Sequence, residues 1–272
     1  MCRLLVFLKT TVAGEALIFA LNTTRMIREI WDGLSSYLRA IVVISRLRLW
    51  SYVLIPGLLS IVLGAVVIAA AWSLSDDIGG TLTRLWPWEW GAQVVDSIGQ
   101  VLGGLVLLIG GLLVFKHLIL ILSGPFMSPL SEKIERHLAG YDEPMHFSPT
   151  EMLQQFGRSV VLGGRNAVLE ILLTIPLLIL GLVPVFAPLA TVLIFLVQSY
   201  YAGFGNMDFT LERHFMVCDS IRFVRRHRGV AIANGAVYLL LLLTGLGFLI
   251  ALPLAVVAAT IETVKRLETT VE

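Results

Sequence analysis

Residues 52–72 read YVLIPGLLSIVLGAVVIAAAW, 21 positions without one charged side chain. A helix rising about 1.5 Å per residue crosses the hydrocarbon core of a bilayer over that length. No other feature constrains the fold as strongly. Backbone N–H and C=O groups in lipid must be satisfied within the protein, which leaves helices or closed barrels. The run also has companions at residues 101–122, 167–203 and 230–261. Composition agrees: 57% of the chain is hydrophobic and 14% is Asp, Glu, Lys or Arg, where a soluble domain carries about a quarter charged residues. The expected class is an all-α integral membrane protein.

The four apolar regions differ in kind. Residues 52–72 and 101–122 are each long enough for one crossing. The second contains Gly103, Gly104, Gly110 and Gly111, and with Gly99 makes a GxxxG stripe that favours close helix packing. Residues 167–203 are interrupted at Pro184 and Pro188, and residues 230–261 around Gly245 and Gly247. Each half is about 14 to 18 residues, short of the ~20 a perpendicular crossing needs. Neither break carries charge. Both read as short helical hairpins that partly or fully penetrate the bilayer. Paired interrupted segments of this type mark the transport site in many carriers. Upstream, Ile27, Ile30, Leu34, Leu38 and Ile41 recur at helical spacing among Arg28, Glu29, Asp32 and Arg39. This is an amphipathic helix suited to the cytoplasmic membrane surface.

Charge sets the orientation. Arg28, Arg39, Arg46 and Arg48 precede the first span, and Lys133, Arg136, Arg158 and Arg165 follow the second. Arg213, Arg222, Arg225, Arg226 and Arg228 lie between the hairpins, and Lys265 and Arg266 in the tail. Only Arg84 falls in the opposite loop, beside Trp86, Trp88 and Trp90. Both termini are therefore expected in the cytoplasm. The formal net charge of +1 gives no reason to expect nucleic acid as a partner. Two cysteines and five scattered histidines form no metal-ligand spacing. Neither a phosphate loop nor a dinucleotide fingerprint is present. No cofactor, metal or catalytic constellation is expected, and the chain does not read as an enzyme.

At residues 122–140, LSGPFMSPLSEKIERHLAG, the second apolar run meets Pro125 and Pro129. Pro125 cannot continue the backbone ladder and Pro129 suits a first helical turn, so an elbow is expected, followed by a charged helix. On that helix Glu132 and Arg136 stand four apart in the favourable order.

The stretches GPFMSPLSEKIERHLAG, GNMDFTLERHFMVCDSIRFVRRHRGVAIANG and RLRLWSYVLIPGLLSIVL resemble, in the right order, the signature blocks of the CysZ sulfate-permease family and its eukaryotic relative, the etoposide-induced membrane protein. The resemblance runs from Met26 to about Glu262. Residues 26–272 are taken as a single membrane domain and residues 1–25 as an N-terminal extension arising from an upstream start codon. The resemblance implies two long transmembrane helices with two partly penetrating hairpins. It also implies a homo-oligomer in the bacterial inner membrane that passes sulfate to cytoplasmic cysteine biosynthesis. A non-transporting scaffold is the other activity the family allows.

In that family a Gly-Leu-Arg motif before the first span binds sulfate. Here the segment is SRLRLW, so Leu47 and Arg48 match Leu-Arg while Arg46 replaces the glycine. A gap-free count back from Pro56 instead puts Arg48 at the glycine and Trp50 at the arginine. The expected anion-binding residues are Ser45, Arg46, Leu47 and Arg48. A dianion is held by backbone N–H groups and guanidinium forks without any need for deprotonation. Anchoring to anionic lipid is the competing role for these arginines. Lys116 and His117, adjacent within an apolar run, are candidates for a pathway or a partner contact, with Lys116 close enough to the run's end to snorkel. Glu170 is similar and suits the interface equally. Glu132, Lys133, Glu135, Arg136, Asp208, Glu212 and Arg213 complete a candidate pathway or structural network.

Overall fold

The computed structural model describes residues 23–52, 54, 56–67, 69, 92–140, 149–244 and 247–271. The N-terminal extension, Arg84 and the three tryptophans near it lie outside these. The described residues form eight helices: α1 (Thr23–Arg46), α2 (Trp50–Val67), α3 (Ala92–Ala139), α4 (Pro149–Gly181), α5 (Ala187–Leu211), α6 (Val217–Arg226), α7 (Arg228–Leu243) and α8 (Gly247–Val271). No strand occurs among them. Trp50–Val67, Leu153–Gly181 and Ala187–Leu211 are each long and apolar enough to cross a membrane.

The elbow expected at Pro125 and Pro129 does not form. α3 is one 48-residue helix that contains both prolines. Each proline removes one ladder bond, at a cost of about 3 kcal/mol in an isolated helix. Around them Leu120, Met127, Leu130 and Ile134 are buried, each stabilising by about 1.5–3 kcal/mol. Tertiary burial outweighs the local defect.

The hairpin helices are also longer than their apolar runs. α4 has 33 residues and α5 has 25, joined by a five-residue turn at 182–186 that contains Pro184, with Pro188 in the first turn of α5. α7, at 16 residues, matches the short expectation, whereas α8 has 25. At the second turn a Cβ on Gly247 would lie 1.9 Å from the Thr244 hydroxyl and 2.3 Å from the Leu241 carbonyl oxygen. Only glycine fits there.

The two hairpins meet different surroundings. The first exposes Ile171, Leu172, Ile175, Ile179, Val185 and Leu189 around its turn. In the second, every residue of α8 from 251 to 264 is buried. Helices α1, α3, α5 and α7 surround it, so α8 is the axis of the molecule. α7 crosses α5 at backbone contact: a Cβ on Gly203 or on Gly235 would lie 1.8 Å from the carbonyl oxygen of Ala231 or Ser199, respectively.

α1 is two-faced. Ile27, Ile30, Trp31, Leu34, Leu38, Ile41 and Val42 form its exposed apolar stripe. The opposite face carries Glu29, Gly33, Ser36, Tyr37, Ala40 and Ile44, buried against α7 and α8. The Tyr37 hydroxyl donates to the Asn234 carbonyl (2.6 Å), and the Gly229 amide donates to the Glu29 carboxylate (3.1 Å) at the start of α7. A carboxylate is favoured at a helix N-terminus, where backbone N–H groups have no intrahelical partner. α1 is thus part of the packed body as well as amphipathic.

Candidate functional site

Between α1 and α2 the backbone makes a tight turn. The Leu49 amide donates to the Ile44 carbonyl (3.0 Å) and the Arg48 amide to the Ser45 carbonyl (3.3 Å). These are the paired bonds of a Schellman C-cap, in which the residue before the last donor takes a left-handed conformation. Arg48 does so, with φ 52°, the one non-glycine residue at positive φ among those described. Ile44 and Leu49 are buried in the same apolar cluster, the hydrophobic contact that accompanies this motif. Ser45 and Arg46 therefore close the end of α1; they do not open α2. Ser45, Arg46 and Arg48 are exposed, and Leu47 is half-buried. Neither Arg46 nor Arg48 forms an ion pair among the described residues. The Lys133 ammonium of α3 lies 5.8 Å from the centre of the Tyr52 ring, one turn into α2.

Behind this turn, α3, α4, α5 and α8 enclose a chain of polar groups in three parts. Nearest the charged end of α3, Glu135 binds Arg213 (2.6 and 2.9 Å) and His214. Arg213 also donates to the Ser131 hydroxyl (2.9 Å) and the Phe209 carbonyl (2.7 Å). Ser131, Thr210 and Thr260 join three helices through hydroxyl bonds of 2.9–3.0 Å. Burial alone would raise the Glu135 carboxyl, but the His214 ring and the Arg213 guanidinium outweigh it and hold the carboxyl below its ordinary value. Glu132 and Arg136 form the expected i,i+4 pair at 2.5 Å on the outer side of α3, worth well under ~1 kcal/mol.

The second part is Asp208, clamped by Arg158 at 2.8 and 3.2 Å. The same guanidinium donates to the Ser220 hydroxyl and the Phe215 carbonyl, both at 2.7 Å. It thereby ties α4, α5 and α6 together.

The third part is the deepest. Lys116 and His117 of α3 converge on Glu170 of α4. The Lys116 ammonium binds one carboxylate oxygen, and His117 Nε2 lies 3.0 Å from the other. Lys116 also donates to the Gln198 carbonyl (3.2 Å). Lys116 and Glu170 are fully buried and His117 nearly so. Lys116 does not snorkel, and Glu170 does not sit at an interface. A small cavity between the second and third parts is bounded by His117, Ser159, Asn166, Tyr201 and Asp208. Its volume of about 20 Å³ holds roughly one water.

A family model described as sulfate transporter CysZ/etoposide-induced protein 2.4 matches residues 36–253. The chain belongs to this family. It is also similar to the sulfate transporter CysZ of Pseudomonas fluorescens, 29% identical over 153 residues, which cover 56% of this chain and 61% of that relative. The match thus spans less than two thirds of the relative's length. With the apolar helices, it identifies a membrane protein.

Two features of this family member escaped the sequence reading. Arg158, Leu162, Asn166, Glu170 and Thr174 recur every fourth residue along α4, and all but the half-buried Arg158 are buried. That i,i+4 stripe, polar at every position but Leu162, through an apolar helix was a legible signal. On the other side, Glu262 and Arg266 of α8 bind each other, and Arg266 reaches Asp32 of α1 at 3.3 Å. The spacing of Asp32 and Arg266, at opposite ends of the chain, carried no hint of this contact.

Glu212 supplies a pH test. It caps α5, and burial pushes its carboxyl up to about 7. The Ser128 hydroxyl opposes that shift, Asp208 adds to it, and Arg213 and Arg158 oppose it. A carboxyl raised from 4.5 to about 7 favours folding in its protonated form. Its share of stability is complete below pH 4.5 and is lost as pH rises towards 7. Glu212→Gln is expected to raise the unfolding temperature above pH 7 by a few degrees (~2–4 °C) and to flatten the decline between those values. An unchanged pH profile by differential scanning fluorimetry would refute this.

Proposed function

We propose that the protein is a passive conduit for sulfate or a similar oxyanion. It works in the bacterial inner membrane as an assembly of identical copies, with both termini in the cytoplasm, and feeds cytoplasmic cysteine biosynthesis. Family membership carries this reading. The arginine turn supports it: Arg46 and Arg48 present exposed guanidinium groups where the family binds sulfate, and Lys133 approaches through Tyr52. The left-handed backbone at Arg48 (φ 52°) favours the register in which Arg48 stands at the family's glycine and Trp50 at its arginine. In this reading the guanidinium contacts come from Arg46 and Arg48 and not from the motif's own arginine position. Ser45, Arg46, Leu47 and Arg48 form the entry site in this reading. The half-buried Glu135, Glu212 and Arg213 and the buried Asp208 shape the route beyond it in this reading, while Glu132, Lys133 and Arg136 line its cytoplasmic side. A one-water cavity does not admit sulfate, so passage requires the helices to part or a route between copies.

Sulfate uptake into proteoliposomes tests this. Arg48→Ala and Arg48→Gly are both expected to reduce uptake by about tenfold, the scale of a lost charged hydrogen bond. Arg48→Gly additionally stabilises the fold by ~1 kcal/mol, because glycine relieves the left-handed strain. Wild-type uptake no faster than empty vesicles defeats the conduit. Equal uptake by wild type and both variants, with a partner recovered by pull-down, favours the scaffold reading that the family's joint description allows.

A further inference from the structure

The arginine turn is built from one stretch of chain, yet a cation from another helix stands beside it. Lys133 of α3 places its ammonium 5.8 Å from the centre of the Tyr52 ring, inside the ~6 Å reach of a cation–π contact. Tyr52 belongs to the first turn of α2, where its amide donates to the Leu49 carbonyl at 3.0 Å. It stands one helical turn beyond Arg48. Leu49, Leu130 and Ile134 are buried in one apolar cluster, and Leu47 and Tyr52 pack against it. The same packing therefore carries the turn and the part of α3 that bears Lys133.

Charge matching singles out the same place. Glu132, next to Lys133, is taken by Arg136 at 2.5 Å. Glu135, one turn away on α3, is held by Arg213 at 2.6 Å and by His214. Arg46, Arg48 and Lys133 are exposed, and none of them forms an ion pair among the described residues. Cations gathered in this way repel one another, and an anion between them turns repulsion into attraction. Arg48 also holds a left-handed backbone (φ 52°), at a cost of about 1–2 kcal/mol that glycine would avoid. Strain of this kind clusters at ligand sites.

We propose that Lys133 is a specificity-determining residue of this anion site. With Arg46 and Arg48 it sets a preference for a doubly charged tetrahedral oxyanion over singly charged anions. The proposal rests on the arginine turn being the anion site. The Tyr52 ring face holds the ammonium in place before the ion arrives, which lowers the cost of binding. An ammonium is a compact point charge, whereas guanidinium forks fix orientation. Coulomb energy is proportional to the ligand's charge, so the added cation contributes twice as much for sulfate as for nitrate.

The test is equilibrium dialysis of the full chain in detergent against radiolabelled sulfate, at fixed ionic strength so that screening is constant. Nitrate affinity is read from its displacement of the label. Lys133→Gln is expected to weaken sulfate binding by about tenfold, the scale of one charge-assisted hydrogen bond. Nitrate binding should weaken by only about threefold, the square root of that factor. Lys133→Arg keeps a cation over Tyr52 and is expected to keep the wild-type ratio of the two affinities. Arg222 of α6 is exposed and paired with Asp219 at 2.9 Å, so Arg222→Gln is the charge control and should leave both affinities unchanged. Equal weakening of sulfate and nitrate by Lys133→Gln would mean that the residue only supports the turn, and overturns the proposal. Wild-type sulfate binding by Lys133→Gln overturns it too; if that variant also loses phosphatidylglycerol in native mass spectrometry, the ammonium belongs to lipid. Wild-type protein that binds no sulfate defeats the arginine turn itself as an anion site. Sulfate bound equally by wild type and Lys133→Gln defeats the role of Lys133 alone.

Discussion

Lys116→Met is expected to destabilise the protein by about 3–5 kcal/mol, the scale for breaking one side of a buried ion pair. Lys116 and Glu170 have no exposed side-chain surface, so removing the ammonium leaves a carboxylate in an apolar interior with only His117 to meet it. The Gln198 carbonyl loses its donor as well. The double variant Lys116→Met/Glu170→Leu behaves differently. It removes both charges and replaces them with side chains of similar volume. Exchanges of this kind are often neutral or stabilising, so the double variant is expected to lie within ~1 kcal/mol of wild type. A double-mutant cycle by reversible unfolding in mixed micelles measures the coupling. Additive single effects would mean that the two groups do not form a pair in the folded protein.

Gly203→Ala is the second large effect. Its Cβ would fall 1.8 Å from the Ala231 carbonyl oxygen and 2.6 Å from the carbon. Both atoms belong to a helix backbone and have no rotamer to give. α5 and α7 must separate, which disturbs the Gly235 contact with Ser199 and the Asn206–Asn234 side-chain bond of 2.8 Å. Overpacking typically costs 1–3 kcal/mol where side chains move aside. With backbone on both sides we expect about 3 kcal/mol or more, and loss of monodisperse protein on size-exclusion chromatography. Gly164→Ala is the control, since a Cβ there meets nothing within 4 Å. It should be neutral or stabilising by up to ~1 kcal/mol through helix propensity. Equal behaviour of the two variants would show that α5 and α7 do not cross as closely as described.

The places where sequence reasoning fell short share one cause. Pro125 and Pro129 are helix breakers by local rules, and the helix passes through them because its neighbours bury it on several sides. Lys116 has a long stem near the end of an apolar run, and local rules send its ammonium to the interface. A carboxylate 54 positions away holds it inside. The apolar region at 230–261 looks the same as that at 167–203 in composition. α8 is buried along residues 251–264, whereas in the first hairpin α4 and the first half of α5 are largely exposed and only α5 from Gln198 onward is enclosed. Among the candidate network residues, Glu135 and Arg213 pair half-buried and Asp208 pairs with Arg158 in the interior, whereas Glu132 and Arg136 pair on the outer side of α3. Arg158 and the α4 polar stripe were readable from spacing alone but went unread.

By itself the sequence determined that the chain is helical and belongs in a membrane, where its helices break at Pro184 and near Gly247, and which family it joins. Those properties follow from local periodicity, length and turn chemistry, each contained within about 20 consecutive residues. Only the tertiary structure decided which charges meet, which apolar helix is enclosed, and that Arg48 adopts a left-handed backbone. Such outcomes depend on how helices distant in sequence cross, and the free energy of burying a group is set by the partners the crossing supplies.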